Sequence, residues 1–224
     1  MKELFNIRHV ALSLTGEPIS YPLINEIIKA FHKRRISTFL VTNAQYPEQI
    51  KKIDKVTQLY LSIDAPNKNL MKKIDRPLFE DYWERMEKCL DLLKTRKYRT
   101  CIRLTLIKDE NMIDLDGYAN LIHRGDPDFL ELKSYMWVGA SQHEYKYENM
   151  PSMQEVRDFA ENLLKYLPDY EIMREHIPSR VVLLIKKDLQ RKSWIDFPKF
   201  FKLLESEKPF GADDYCSRVK MSNE

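Results

Sequence analysis

The sequence predicts an α/β fold, a mainly parallel sheet with helices packed outside it. Short apolar segments rich in β-branched residues alternate with longer stretches whose apolar residues recur at helical spacing, the pattern of successive strand–helix units. Polar residues gather where those strands end and the helices begin. No segment repeats, and no linker rich in Gly, Ser or Pro divides the 224 residues, so one domain is expected.

The elements follow in order. Arg8 to Leu14 reads as a strand ending at Thr15-Gly16-Glu17-Pro18. Pro22 opens a helical pattern with Leu23, Ile24, Ile27, Ile28 and Phe31 on one face, and Lys33-Arg34-Arg35 closes it at the end that favours cations. Ser37 to Val41 is a second strand, followed by a short helix around Pro47 to Lys52. Thr57 to Ile63 is a third strand, and an amphipathic helix from about Leu78 to Lys94 comes after it. Thr100 to Ile107 is the fourth, with Arg103 and Thr105 alternating against Ile102, Leu104 and Leu106. Asp114 to Arg124 is helical with Gly125 as its stop, and Phe129 to Lys133 is the fifth strand. Ser134 to Met150 has no period and reads as a long loop. Ser152, three residues before Glu155, caps a helix to Leu167. Strands at Tyr170 to Arg174 and Arg180 to Lys186 flank a turn at Pro178, and a last helix from Pro198 to Glu205 precedes a polar tail from residue 208.

Composition narrows the function classes. Hydrophobic residues make up 43% of the chain, enough for a core. Basic and acidic side chains number 37 and 34, so the net charge of +3 excludes a strongly cationic binder while allowing a local basic face. The longest apolar runs, such as Val181 to Ile185, fall far short of the ~20 residues of a membrane span. Met1 to Leu14 has neither a long apolar run nor a small-residue cleavage site, so a cytoplasmic location without membrane contact is expected. Cys89, Cys101 and Cys216 lie 12 and 115 positions apart, which suits neither a disulfide framework nor a self-contained metal site. The five histidines show no metal spacing, and no metal ligands are assigned.

In such a fold the working residues collect at the ends of the strands. Here that rim carries Gly16 and Glu17, then Asn43, then Ser62 and Asp64, then Arg103 and Thr105, and finally Lys133. Strand ends are polar in any case because they leave the core, but five in succession favour a site. The sharpest segment is Gly16-Glu17-Pro18: a small residue admits a ligand to the backbone, a carboxylate suits an ammonium group, and proline stiffens the exit.

A Gly-Glu-Pro turn after a barrel strand resembles the element with which radical S-adenosylmethionine enzymes hold the cofactor's amino group. The resemblance extends through RHVALSLTGEPISYP (residues 8–22), FLVTNA (39–44), TQLYLSIDAPNKNLMKKIDRPL (57–78), RLTLIK (103–108), PDFLELK (127–133) and WIDFP (194–198). These blocks, in this order, look like the family of tRNA 4-demethylwyosine synthases, the radical enzymes of wybutosine synthesis on phenylalanine tRNA. The resemblance implies a partial TIM-type (β/α) barrel over residues 1–207, with extra C-terminal strands and a helix, and a polar tail over 208–224.

It also implies an activity. Members of the family condense N1-methylguanosine beside the anticodon with carbons from pyruvate, a lyase-type reaction. A 4Fe-4S cluster reduces S-adenosylmethionine to the radical that attacks the N1-methyl group. Gly16, Glu17 and Pro18 would hold the cofactor's amino end, and Asn43, Ser62 and Asp64 its other polar parts. Lys133 is the candidate for a Schiff base with pyruvate, the alternative being an ordinary salt bridge with Glu131. Lys72, Lys73 and Arg76 would meet tRNA phosphates, or are solvated surface charge. Tyr135, Trp137, His143, Tyr145 and Tyr147 either stack on anticodon-loop bases or pack their loop onto the barrel.

The chain departs from the family in its cysteines and after the Lys133 block, where Ser134 to Val138 reads SYMWV in place of the family's usual cysteine and glycines. The cluster is normally held by a Cys-x3-Cys-x2-Cys loop after the first barrel strand, and no such spacing occurs here. The expectation is a barrel that starts at the family's second strand, without the cluster loop and without the FMN-binding domain of eukaryotic members. Such a chain would be inactive alone, with an upstream polypeptide supplying the missing strand and loop; release of 5′-deoxyadenosine by the purified chain with iron, sulfide and reductant would contradict this. The alternative function is a non-catalytic tRNA- or nucleotide-binding module derived from the same barrel.

Overall fold

The computed structural model describes residues 6–13, 16–206 and 208–218. β1 (His9–Leu12) leads through a short 3-10 turn at Pro18–Ser20 to α1 (Ile24–Lys33), and β2 (Ser37–Thr42) leads to α2 (Pro47–Lys52). β3 (Gln58–Ser62) is followed by α3 (Lys68–Asp75) and α4 (Tyr82–Leu93), β4 (Arg99–Leu106) by α5 (Leu115–Gly125), and β5 (Phe129–Ser134) by α6 (Met153–Leu163). Then come β6 (Tyr170–His176), β7 (Val181–Lys186), β8 (Trp194–Ile195), α7 (Phe197–Glu205) and β9 (Cys216–Ser217).

Seven strands form one sheet in the order β1-β2-β3-β4-β5-β7-β6. The first five are parallel, each adding to the edge beside its predecessor. β7 runs antiparallel to both β5 and β6. The reversal follows from the connection: the turn at Ile177–Ser179 is long enough for a hairpin, whereas a parallel return needs a crossover of a dozen residues or more.

Alternation along the strands sorts the two faces. Leu59, Leu61, Ile102, Leu104, Leu106, Leu130 and Leu132 are buried beneath the helices with Ile28, Leu90 and Val156 in one core cluster. The residues between them, Tyr60, Ser62, Arg103, Thr105, Glu131 and Lys133, are half-buried on the opposite, inner face. A fold needs only the first set to be apolar. The second set is free to carry chemistry.

Several local expectations change. Leu14 and Thr15 lie outside the described residues, and the first strand is described as ending at Leu12. The loop after β5 contains two short 3-10 turns, at Gly139–His143 and Tyr147–Asn149. Gly125 does not stop α5 but is its last residue, and Asp126, at φ 46°, makes the left-handed exit. Glycine is required at 125 for close packing instead: a Cβ there would stand 2.8 Å from Leu90 Cδ2 and 3.1 Å from Ile102 Cδ1.

The polar tail expected from residue 208 is the largest correction. Phe210 and Tyr215 are buried with Ile195, Phe200 and Phe201 in a second core cluster, and β9 pairs with β8. Tyr215 Oη donates to the carbonyl of Thr57 (3.1 Å) and accepts from the amide of Arg99 (3.0 Å), so this unit closes the end where β3 and β4 begin. Two aromatic anchors among many polar residues are easily missed in a composition-based reading. Cys216, within the expected tail, sits in β9 with its Sγ accepting from Arg99 Nη1 at 3.4 Å. Among the described residues no helix is long and apolar enough to cross a membrane.

Candidate functional site

With one end of the sheet closed by α7 and β8–β9, the polar groups at the finishing ends of the strands form the candidate site. Glu17 precedes the Pro18–Ser20 turn, and its Oε2 accepts the backbone N–H of Asn43, just after β2, at 2.8 Å. One hydrogen bond thereby joins the exits of β1 and β2. Gly16 has φ +76°, a conformation that favours glycine, and Pro18 opens the turn. Burial pushes the Glu17 carboxyl above the usual carboxylate range, and the hydrogen bond from the Asn43 amide pulls it partly back. Even so, Glu17 Oε1 and Thr42 Oγ1 are buried with no hydrogen-bond partner among the described residues. A buried carboxylate oxygen beside an unused hydroxyl calls for an external N–H donor. A primary ammonium such as that of S-adenosylmethionine fits these residues.

Asn43, Ser62 and Asp64 line a cleft of about 230 Å³ with Gln45, Asp75 and Arg76. Asp64 Oδ1 accepts from the Thr105 amide (2.9 Å). Fully buried Asn111 ties the β3 and β4 exits together by donating to the Asp64 carbonyl (2.8 Å) and the Thr105 carbonyl (2.7 Å). Burial raises the Asp64 carboxyl, against the hydrogen bonds from Thr105 and the charge of Arg103. Asp75, at the end of α3, is pushed up to about 7 by desolvation of its carboxyl and by the charge of Asp64. As a residue Asp75 is exposed, so solvent screens part of that repulsion.

Of the three expected phosphate-binding cations, Lys73 is paired with Glu110 and Arg76 with Glu144. Lys72 is exposed and has no ion pair among the described residues. An arriving phosphate would therefore exchange with carboxylates at two of the three positions.

On the inner face Lys133 stands opposite Thr105 of β4 and Val181 of β7. Its expected rival role, a salt bridge with Glu131, is not formed. Glu131 is gripped instead by Arg103, Nε to Oε1 at 2.8 Å and Nη2 to Oε2 at 3.3 Å, while the same guanidinium lies 4.8 Å from the centre of the Tyr60 ring. Lys133 is half-buried with no ion pair among the described residues, the environment of an available amine. Sequence reasoning placed Arg103 on the rim but missed its pairing with Glu131; the shared inward register of positions 60, 103 and 131 was the signal. Gln45 and Asp75 carried no such signal, because only the fold brings them to the cleft.

The cysteines do not gather. Cys89 is buried in α4 and Cys101 in β4, both with thiols raised by burial, and Cys216 lies in β9. Among the described residues no group of three His, Cys, Asp or Glu side chains is placed to hold a metal ion. These residues do not fit an iron–sulfur cluster.

Comparison with known proteins agrees with the geometry. The model of the radical SAM superfamily matches residues 1–122, and that of wyosine base formation matches residues 124–186. The S-adenosyl-L-methionine-dependent tRNA 4-demethylwyosine synthase of Schizosaccharomyces pombe is 44% identical over 96% of this chain and 33% of the relative. That of Oryza sativa subsp. japonica is 47% identical over 94% of this chain and 33% of the relative. The chain thus spans about a third of the length of these curated relatives. A solved structure, described as TYW1 with a lysine–pyruvate adduct bound, superposes with a TM-score of 0.76 at 40% identity, covering 84% of this chain and 59% of that one. The chain belongs to the radical SAM superfamily, and its relatives there are tRNA 4-demethylwyosine synthases.

Proposed function

We propose that this chain is the cofactor- and substrate-binding part of a cytoplasmic tRNA 4-demethylwyosine synthase, acting on N1-methylguanosine of phenylalanine tRNA with pyruvate as the carbon source. The observation that carries the reading is the orphaned pair Glu17 Oε1 and Thr42 Oγ1 at the Gly16 turn. S-adenosylmethionine, when bound, would supply hydrogen-atom abstraction once reduced by one electron from a donor that Cys89, Cys101 and Cys216 do not hold. Glu17 accepts N–H bonds from its ammonium group, Gly16 and Pro18 set the turn that presents that carboxylate, and Asn43, Ser62 and Asp64 meet its remaining polar groups. The three free cysteines suit a reducing compartment.

Lys133 takes the pyruvate side. Its neutral amine attacks the ketone carbon, a C–N bond forms, and the carbonyl oxygen leaves as water to give an imine. Arg103 assists by occupying Glu131, which would otherwise hold Lys133 as an ion pair. A relative whose structure has a lysine–pyruvate adduct bound supports this chemistry. Lys72, Lys73 and Arg76 are assigned to tRNA phosphates, with Glu110 and Glu144 displaced on binding. The separated cysteines favour a second reading, in which the chain binds nucleotide or tRNA and the 4Fe-4S cluster is held elsewhere than on Cys89, Cys101 and Cys216.

Calorimetric titration with S-adenosylmethionine tests the carrying observation. Glu17→Gln removes one charge-assisted hydrogen bond, worth about 1.5–3 kcal/mol, so affinity is expected to fall roughly 10- to 150-fold. Unchanged affinity would remove Glu17 from the cofactor site.

A further inference from the structure

We propose that Trp137 and Tyr147 form a stacking platform for one unpaired RNA base at the mouth of the site, an inference that rests on the tRNA reading above. The loop after β5 divides its aromatic residues into two groups. Tyr135 is 6% exposed, with Tyr145 edge-on at 5.4 Å and its hydroxyl bound to Ser141 Oγ at 3.0 Å. That pair is the loop's foundation. Trp137 and Tyr147 are 37% and 58% exposed and meet edge to face at 6.1 Å.

The outer pair is held in place. Trp137 Nε1 donates to the Tyr145 carbonyl (2.9 Å), and Gln142 Nε2 donates to the Trp137 carbonyl (3.2 Å). Beside Tyr147, Asn149 Nδ2 donates to the Lys108 carbonyl (2.9 Å), and the Lys108 amide donates back to the Asn149 carbonyl (2.9 Å), tying the loop to the end of β4. An exposed indole already fixed in orientation loses little further entropy when a planar ring settles on it.

Position and charge identify the ring. The loop begins two residues after Lys133, so it leaves the strand that carries the amine assigned to pyruvate. Arg76, at the end of α3, is bound to Glu144 of the same loop, which brings the Lys72–Arg76 cations alongside. Lys146 and His143 are exposed within the loop, and Glu144 and Glu148 are its exposed acidic members. Cations flanking a fixed aromatic face suit the phosphates on either side of a splayed base.

The test uses the full chain with Trp83→Phe and Trp194→Phe, leaving Trp137 as the only tryptophan, and a stem–loop RNA with unpaired purines against a fully paired RNA of equal length. The stem–loop is expected to quench Trp137 emission. Trp137→Ala and Tyr147→Ala should each weaken stem–loop affinity roughly 5- to 150-fold while leaving the salt dependence unchanged. Trp137→Phe loses the indole hydrogen bond but keeps a ring, so near-native affinity for that variant separates stacking from loop support. Wild-type affinity in both alanine variants overturns the platform while leaving the tRNA reading intact. No RNA binding by the unsubstituted chain overturns both. A Trp137 emission shift that depends on protein concentration alone assigns the face to a second copy and overturns the platform.

Discussion

At the scale of single residues, the site is built from groups that burial leaves uncomfortable. Glu17 is one: its carboxyl is raised by desolvation, so its ionised form opposes folding above the ordinary carboxylate range. The sign is that of any carboxylate whose folded pKa is raised. Its favourable contribution is complete below the unfolded pKa and is lost as pH rises through the folded one. Glu17→Gln should therefore melt higher than wild type at neutral pH, with the gap closing in acid; an unchanged or lower melting temperature at pH 7 would contradict the burial argument. Asp75 behaves likewise against Asp64, with Arg76 as its neighbouring cation. Because its folded pKa is about 7, the contribution of Asp75 to stability should fall as pH rises from about 4 through 7. Asp75→Asn should remove that part of the decline in pH-resolved urea unfolding, and parallel profiles for the two proteins would sink the pairing.

At the scale of elements, the sequence was most informative where one period dominates. The five parallel strands and the Ser152–Glu155 cap were legible because alternation and capping chemistry are local, and the cap closes as read, with Ser152 Oγ accepting from the Glu155 amide at 3.2 Å. The 3-10 turns of the loop after β5 were not, since short turns held by side-chain bonds such as Lys146 N to Asn149 Oδ1 leave no period. The segment past residue 208 was missed for a different reason. Its stability comes from Tyr215, 158 positions from the Thr57 carbonyl that its hydroxyl reaches, and such a contact has no local trace. Tyr215→Phe keeps the ring but strips the buried Arg99 amide of its acceptor, and should cost about 1–3 kcal/mol in denaturant unfolding. No measurable loss would mean that this unit does not close the sheet.

At the scale of the molecule, the sheet separates folding from chemistry by its two faces. The helix-covered face needs only apolar volume, while the inner face and its rim carry Glu17, Asn43, Ser62, Asp64, Arg103, Glu131 and Lys133. The order of these groups along the chain was readable, because parallel strands deliver successive ends to one rim. Their pairing was not: nothing local says that Arg103 takes Glu131 and leaves Lys133 without a counter-ion among the described residues. That selection underlies the claim that one rim presents both an ammonium-binding carboxylate and a free amine. The most direct test is to incubate the chain with pyruvate and cyanoborohydride and map the reduced adduct by mass spectrometry. The account predicts modification at Lys133 that disappears in Lys133→Arg; labelling centred on another lysine, or undiminished in that variant, would contradict it.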